Sequence, residues 1–267
     1  MDITVILNAH REGLLAHPTC HSLERAKAAA ERAGVNVEVL VILDRADAET
    51  LEFFQHRAPE DWKLTNVDCG DLGQSRNEGV RLAHGRWIAF LDADDLFSAN
   101  WLASAFKAGE RDNRLVVWHP EWDIHFGLSE LIVHNSDMDE LHIGAEELVC
   151  INLWSALCFA SKNLLLSTPY APTQHLKQIG YEDWSWNMAV MGCGAIHKVV
   201  PNTCHFIRRK HVGSLNVSTD AANCIPWPSN VFVDILRQRS EKKSGASSLP
   251  WQAAEKHPLD SSVKCNG

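Results

Sequence analysis

Gly73-Gln74-Ser75-Arg76-Asn77-Glu78-Gly79, then Ala83-His84-Gly85-Arg86, then Trp87-Ile88-Ala89-Phe90-Leu91 running into Asp92-Ala93-Asp94-Asp95, is the stretch that decides the fold. Gly73 to Ala83 has helical spacing and is closed by Gly85. Trp87 to Leu91 is a short apolar run, as expected of a strand covered on both faces. The same alternation stands upstream. Ile3 to Leu7 reads as a buried strand, Ser22 to Ala33 as a helix closed by Gly34, and Val37 to Leu43 as a second strand. Asp47 caps a short helix reaching about His56, and Leu64 to Val67 is a weaker strand. Ala99 to Ala108 reads as a helix and Leu115 to Trp118 as a strand. Such alternation predicts right-handed βαβ units and a mainly parallel sheet. Ligands of such sheets bind beyond the carboxyl ends of the strands, which here means after Leu7, Leu43 and Leu91.

The second half is less regular. His119 to Asn135 reads as an excursion or short hairpin, and Ala145 to Asn152 and Glu182 to Met191 as helices. Ala195 to Val200 and Cys204 to Arg208 read as two strands, and Val231 to Leu236 as an apolar helical stripe. The expected organisation is one domain over residues 1–239, with a ligand-binding half at 1–118 and a second half at 119–239. Residues 240–267, rich in Ser, Lys, Gly and Pro, form a loose tail.

Composition narrows the function classes. In 267 residues, 45% are hydrophobic and 22% charged, as in a soluble globular protein. A net charge of -9 excludes a long basic footprint for nucleic acid. Any anionic ligand must then be held by local cations, a metal or helix N-termini. Eight cysteines show no CxxC pair or zinc-like spacing and read as reduced thiols of a cytoplasmic protein. No run approaches the ~20 apolar residues that span a bilayer, and the start lacks the pattern of a secretory signal.

Three carboxylates, Asp92, Asp94 and Asp95, crowd the end of one strand and repel one another. A divalent cation held by their hard oxygens relieves this, and a pyrophosphate can complete its coordination. The plain alternative is a solvated acidic turn.

From Gly70 to Leu96 the chain resembles glycosyltransferase family 2, whose members have the GT-A fold. That family carries a glycine, an Ala/Ser-Arg-Asn-x-Gly helix, a glycine, a strand and Asp-x-Asp, with the spacing found here. The resemblance runs from Ile3 to Gly213 and implies a Rossmann-like, mainly parallel α/β sheet flanked by helices, with an acceptor-side C-terminal half. It also implies inverting transfer of a sugar from a UDP-, GDP- or dTDP-linked donor to a hydroxyl, helped by Mn2+ or Mg2+. By this resemblance Asn8, His10, Arg11 and Glu12 form the loop that grips base and ribose, although the family often has an aromatic where His10 stands. Asp44 reads the base, Arg76 steadies Asp92 or contacts phosphate, Asp92 meets ribose or a metal-bound water, and Asp94 ligates the metal.

Downstream, Gly180-Tyr181-Glu182-Asp183-Trp184 matches the family's Glu-Asp pair, with Asp183 as catalytic base and Glu182 beside it. A base opposite the leaving diphosphate is what inversion needs. Two acids at a helix start also complement its dipole, which is the plain alternative. In Arg208-Arg209-Lys210-His211, related enzymes place a basic or histidine loop that closes on the diphosphate, which implies Arg208, Arg209 or Lys210 as a phosphate contact and His211 as a metal ligand; the plain alternative is a solvated basic loop. Trp184 and Trp186, beside the base, are expected at the acceptor groove, because aromatic planes pack on sugar faces.

Members of this family build cell-surface polysaccharides or glycolipids, so the implied acceptor is a saccharide or lipid-linked saccharide. The absence of Gln-x-x-Arg-Trp favours addition of single sugars. Arg237, Arg239, Lys242 and Lys243 read as a solvated helix end, or else as a peripheral contact at the inner face of a membrane. The rival functions are an inactive nucleotide-sugar-binding or scaffold module and a sugar-phosphate nucleotidyltransferase. The first strand is not followed by the Gly-rich loop the latter commonly uses.

Overall fold

A computed structural model describes residues 1–141, 143, 145–210 and 215–227. The first half builds strand β1 (Ile3–Ala9), helix α1 (Ala16–Arg32), β2 (Val37–Asp44), α2 (Ala48–Arg57), β3 (Lys63–Val67), α3 (Leu72–Leu82) and β4 (Trp87–Asp92). β1 pairs in parallel with β2 on one side and β4 on the other, and β2 pairs with β3. The resulting order, β3-β2-β1-β4, places a switch in strand order at β1 and β4. Their carboxyl ends open the crevice in which such sheets bind ligands.

The apolar runs explain this arrangement. Every residue of β1 and β2 is buried. One face of the sheet packs on α1 and α2 through Leu23, Ala26, Ala30, Phe53 and Phe54. The other face packs on α3 through Ile6, Ile42, Val80 and Phe90. Two glycines permit close approach. A Cβ on Gly79 would stand 2.6 Å from Ile6 Cγ2, so α3 can lie directly on β1. A Cβ on Gly85 would stand 2.3 Å from the Thr4 backbone nitrogen. A buried carboxylate also ties this half together. Glu38 on β2 accepts from Thr4 Oγ1 (2.6 Å), Lys63 Nζ (2.5 Å) and the His84 backbone N–H (2.9 Å).

The chain continues through β5 (Leu96–Phe97), α4 (Trp101–Gly109), β6 (Val116–Gly127), β7 (Leu131–His134), α5 (Ala145–Cys150), β8 (Phe159–Ser161), α6 (Lys162–Ser167), α7 (Glu182–Gly192), β9 (Ile196–Arg209) and α8 (Leu215–Ala221). β8 joins the halves by pairing antiparallel with β4 and with β6. β6 and β9 run parallel over most of their length, with a register shift between Pro120 and Trp122.

Several boundaries differ from the sequence reading. α1 starts at Ala16 rather than Ser22, because a 3-10 turn over Gly13–Leu15 leads directly into it. Of the two readings of 119–135, excursion or short hairpin, the hairpin is the one found: the distal part of β6 with β7, turned at Gly127 (φ +100). The two strands expected at 195–208 are one, since the polar break at Asn202 (φ 59) is absorbed as an irregularity. β8 and α6 are too short to show a period. The stripe at 231–236, the basic residues at 237–243 and the tail at 240–267 lie outside the described residues. All seven cysteines among the described residues are free. Among those residues, no helix is long and apolar enough to cross a membrane.

Candidate active site

The ends of β1, β2 and β4 open into a cleft of about 1880 Å³, bounded opposite by the start of α7 and the end of β9. That exceeds the usual size of a small-molecule site and leaves room for two ligands side by side.

On the β1 side, Asn8 is buried at the strand end and neither side-chain polar atom has a partner. His10 is exposed, with Nδ1 2.6 Å from the Asp44 carbonyl oxygen. Arg11 is exposed at the rim. Glu12 turns back to accept from the backbone N–H groups of His10 (2.6 Å) and Arg11 (3.0 Å). Asp44 lies at the end of β2, where its carboxylate accepts from Cys69 N (2.8 Å), Gly70 N (3.0 Å) and Ser75 Oγ (2.6 Å). Asp44 thus clamps the turn that leads into α3.

Asp92, Asp94 and Asp95 follow β4, and their surroundings separate them. Asp95 is buried and accepts from the Arg208 backbone N–H (2.7 Å). Burial, then the charges of Asp92 and Asp94, push its carboxyl well above the usual range. Asp94 Oδ2 lies 2.6 Å from Lys210 Nζ and 3.6 Å from Arg208 Nη1. Lys210 also approaches Glu12 Oε1 at 3.9 Å. Glu12 is raised as well, by burial and by the charges of Asp94 and Asp92.

Among the described residues no finished group of three or more metal-binding side chains stands ready. The oxygens nearest the cleft are nevertheless of the kind a hard divalent cation takes. Asp92, Asp94 and Glu12 supply only oxygens, their charges oppose one another, and the Lys210 ammonium stands where positive charge is stabilised. His211 lies outside the described residues.

Arg76 is the centre of the site. It is 1% exposed, projects from α3, and donates from Nη2 to Asp92 Oδ2 (3.1 Å) and from Nη1 to Glu182 Oε1 (2.8 Å). Its guanidinium lies 5.6 Å from the Tyr170 ring centre and 5.9 Å from that of Phe90. Burial works against its charge, but Asp92 and Glu182 outweigh that and hold it protonated. Both terminal nitrogens are therefore engaged by carboxylates.

Glu182 and Asp183 open α7. The residue before them, Tyr181, has φ 54, a costly conformation for a bulky side chain. Glu182 is raised to about 7 by burial and by the charge of Asp183, against the pull of Arg76. Asp183 is half-buried, lines the cleft, and accepts from Asn152 Nδ2 (3.0 Å). Burial raises its carboxyl too.

The two tryptophans do not line the acceptor groove. Trp186 is 2% exposed, stacks on Tyr170 at 5.1 Å and donates from Nε1 to the Thr168 carbonyl (2.7 Å). Trp184 points away from the cleft, towards the end of α5, with Nε1 2.6 Å from the Leu148 carbonyl. Trp184 is one residue past Asp183, and at about 100° per residue that step turns its side chain to another face, whereas Trp186, three residues on, is kept from the cleft by the Tyr170 ring stacked on it. Trp154 stands at the cleft wall, but it too is 2% exposed, with its ring stacked on His197 at 3.9 Å.

Sequence reasoning also passed over Asp71, Asn152 and Asp123. Asp71 caps α3 through Gln74 N (2.9 Å) and holds Thr173 N (2.8 Å) at the opposite rim. Its place three residues before Gln74 was a readable cap signal. Asn152 carried no signal, because its partner is remote in sequence.

The sheet order and cleft define a GT-A glycosyltransferase fold. S. aureus TarS 1-349 superposes with a TM-score of 0.58 at 16% identity, covering 78% of this chain and 60% of that one. The same protein in complex with UDP-GlcNAc gives 0.59 at 14% identity, over 93% of this chain and 68% of that one. The mannosyltransferase PcManGT from Pyrobaculum calidifontis, in complex with GDP-Man and Mn2+, gives 0.56 at 17% identity, over 93% and 65%. The chain belongs to glycosyl transferase family 2, whose profile matches residues 4–163. EpsH of Bacillus subtilis (strain 168) is 25% identical over 84 residues, which is 31% of this chain and 24% of EpsH.

Proposed function

We propose that the chain transfers a sugar from a nucleoside-diphosphate sugar to a hydroxyl acceptor with inversion, and that it requires Mn2+ or Mg2+. The observation that carries this reading is the Asp92–Arg76–Glu182 bridge, which fixes an acidic donor wall against the Glu182-Asp183 helix start across one cleft. Family membership and the UDP-GlcNAc and GDP-Man complexes of fold neighbours support it.

Base and ribose lie against Asn8, His10, Arg11 and Asp44. The diphosphate lies beside Asp92 and Asp94, where Arg208 and Lys210 offer positive charge. Asp94 and Asp92, with Glu12 near them, would hold a divalent metal, which would supply positive charge for the departing diphosphate. Asp183 takes the proton of the acceptor hydroxyl as that oxygen attacks the anomeric carbon from the face opposite the diphosphate. Asn152 orients the Asp183 carboxylate, and burial brings its proton affinity closer to that of a working base at neutral pH. The setting we propose is the cytoplasm, with peripheral contact at the inner membrane face, where single sugars are added to saccharide or lipid-linked saccharide acceptors.

Asp183→Asn tests the assignment. It should lower transfer about 10³-fold and leave nucleotide binding within about twofold, within the context dependence of such contacts. Transfer at the wild-type rate would place the base elsewhere.

A further inference from the structure

β6, β7 and β9 form a floor beside the catalytic pair. Asp123 on β6 stands opposite Val133 on β7 and His205 on β9. Residues opposite or two apart share a face, so Asp123, His125, Val133 and Ile207 look the same way, and all four line the cleft.

Asp123 is 3% exposed, and its Oδ1 has no hydrogen-bond partner. His205 Nδ1 is 4.0 Å away, too far for a hydrogen bond, and burial pushes that imidazole down to about 3, so it brings no charge. Burial raises the Asp123 carboxyl to about 6, while side-chain hydrogen bonding with Asn135 and Ser155 pulls it partly back. Ser155 Oγ makes no close hydrogen bond and leans only on Asp123. A buried carboxylate oxygen with no donor is costly, and native proteins keep few of them. The loop that carries Ser155 also carries Asn152, which donates to Asp183, and Trp154 beside them at the cleft wall. One short segment thus links Asp123 to the candidate base.

We propose that Asp123, with Ser155 beside it, is a sugar-hydroxyl subsite that selects which sugar the site accepts. The free Asp123 oxygen accepts a ring hydroxyl hydrogen, and Ser155 Oγ makes the neighbouring contact. Hydrogen bonds to a charged acceptor are the stronger kind. A site built around one strongly disfavours a ring that lacks the matching hydroxyl. The inference rests on the transferase reading and extends it to specificity. The ring belongs to the donor sugar or to the acceptor, and the experiment separates the two.

Asp123→Asn keeps the shape and removes the carboxylate. Calorimetry with Mn2+ would compare UDP, GDP and dTDP with their hexose esters, and then methyl hexosides in the presence of the tightest diphosphate. The expected result is unchanged diphosphate affinity together with a sugar-specific loss of about tenfold or more. Loss confined to the hexose ester assigns the subsite to the donor, and loss confined to the methyl hexoside assigns it to the acceptor. If both affinities stay within about twofold of wild type in a folded variant, the proposal is overturned. If Asp123→Asn does not fold, Ser155→Ala is judged by the same criteria. Failure of the wild type to bind any diphosphate overturns the transferase reading itself, and this inference with it.

Discussion

The two sides of the cleft are built differently. On the donor side, β1, β2 and β4 run in unbroken parallel register, and the carboxylates of β2 are well supplied with donors, while Asn8 on β1 is left unpaired. Asp44 has three donors and Glu38 at least three. On the acceptor side, β6 and β9 shift register, Tyr181 and Gln178 sit at positive φ, and buried polar atoms go unpaired on Asp123, His125, Ser155, Tyr170 and His205. A wall whose carboxylates are mostly held in place offers a ligand few free groups, chiefly Asn8 and the acidic cluster. An unsatisfied wall suits a ligand that brings its own hydroxyls.

The sharpest way to break this contrast is at the bridge between the walls. Arg76→Met leaves Asp92 and Glu182 without their buried cation and should cost about 3–5 kcal/mol of folding stability, measured by urea denaturation. A loss below about 1 kcal/mol would put the pair in the range of surface ion pairs and dissolve the bridge.

pH should act with opposite signs on the two sides. Glu38 is lowered to about 2: burial raises it, but Lys63, Thr4 and His84 outweigh burial. Its contribution is present above about pH 4.5 and is lost as pH falls through 2. Glu182, raised to about 7, contributes stability below pH 4.5 that is lost as pH rises through 7. Between pH 5 and 8, wild type should therefore lose on the order of 1–3 kcal/mol relative to Glu182→Gln. Below pH 4.5, wild type should lose its advantage over Glu38→Gln. Parallel profiles for both pairs would contradict the assignment.

The smallest effect is expected at Trp184. Trp184→Phe removes the hydrogen bond to Leu148 and should cost about 1 kcal/mol without changing diphosphate affinity. A selective loss of acceptor binding would restore Trp184 to the groove.

The contrast also explains what could be read without coordinates. The donor half was legible because its strands are apolar runs and its helices end at glycines and caps. Asp47 caps α2 through Thr50 N at 3.0 Å as its position implied. Gly79 and Gly85 mark close approaches along the same block. The acceptor half has neither run nor period. Asp123 is one acid in a mixed strand, and it matters because β6, β7 and the Ser155 loop meet around it. Trp184 misled because adjacency to Asp183 in sequence is not adjacency on a helix face, and Trp186 because Tyr170, which covers it, is remote in sequence. Arg76 was legible as a cation near the acidic cluster, but its second partner, Glu182, lies 106 residues away.

The most direct test of the donor wall is calorimetric titration of UDP, GDP and dTDP with Mn2+ and with chelator, on wild type and Asp94→Ala. The account predicts that at least one diphosphate binds with Mn2+ and weakens about tenfold or more under chelation and in Asp94→Ala. Binding of none, or binding indifferent to metal and to Asp94, would contradict it.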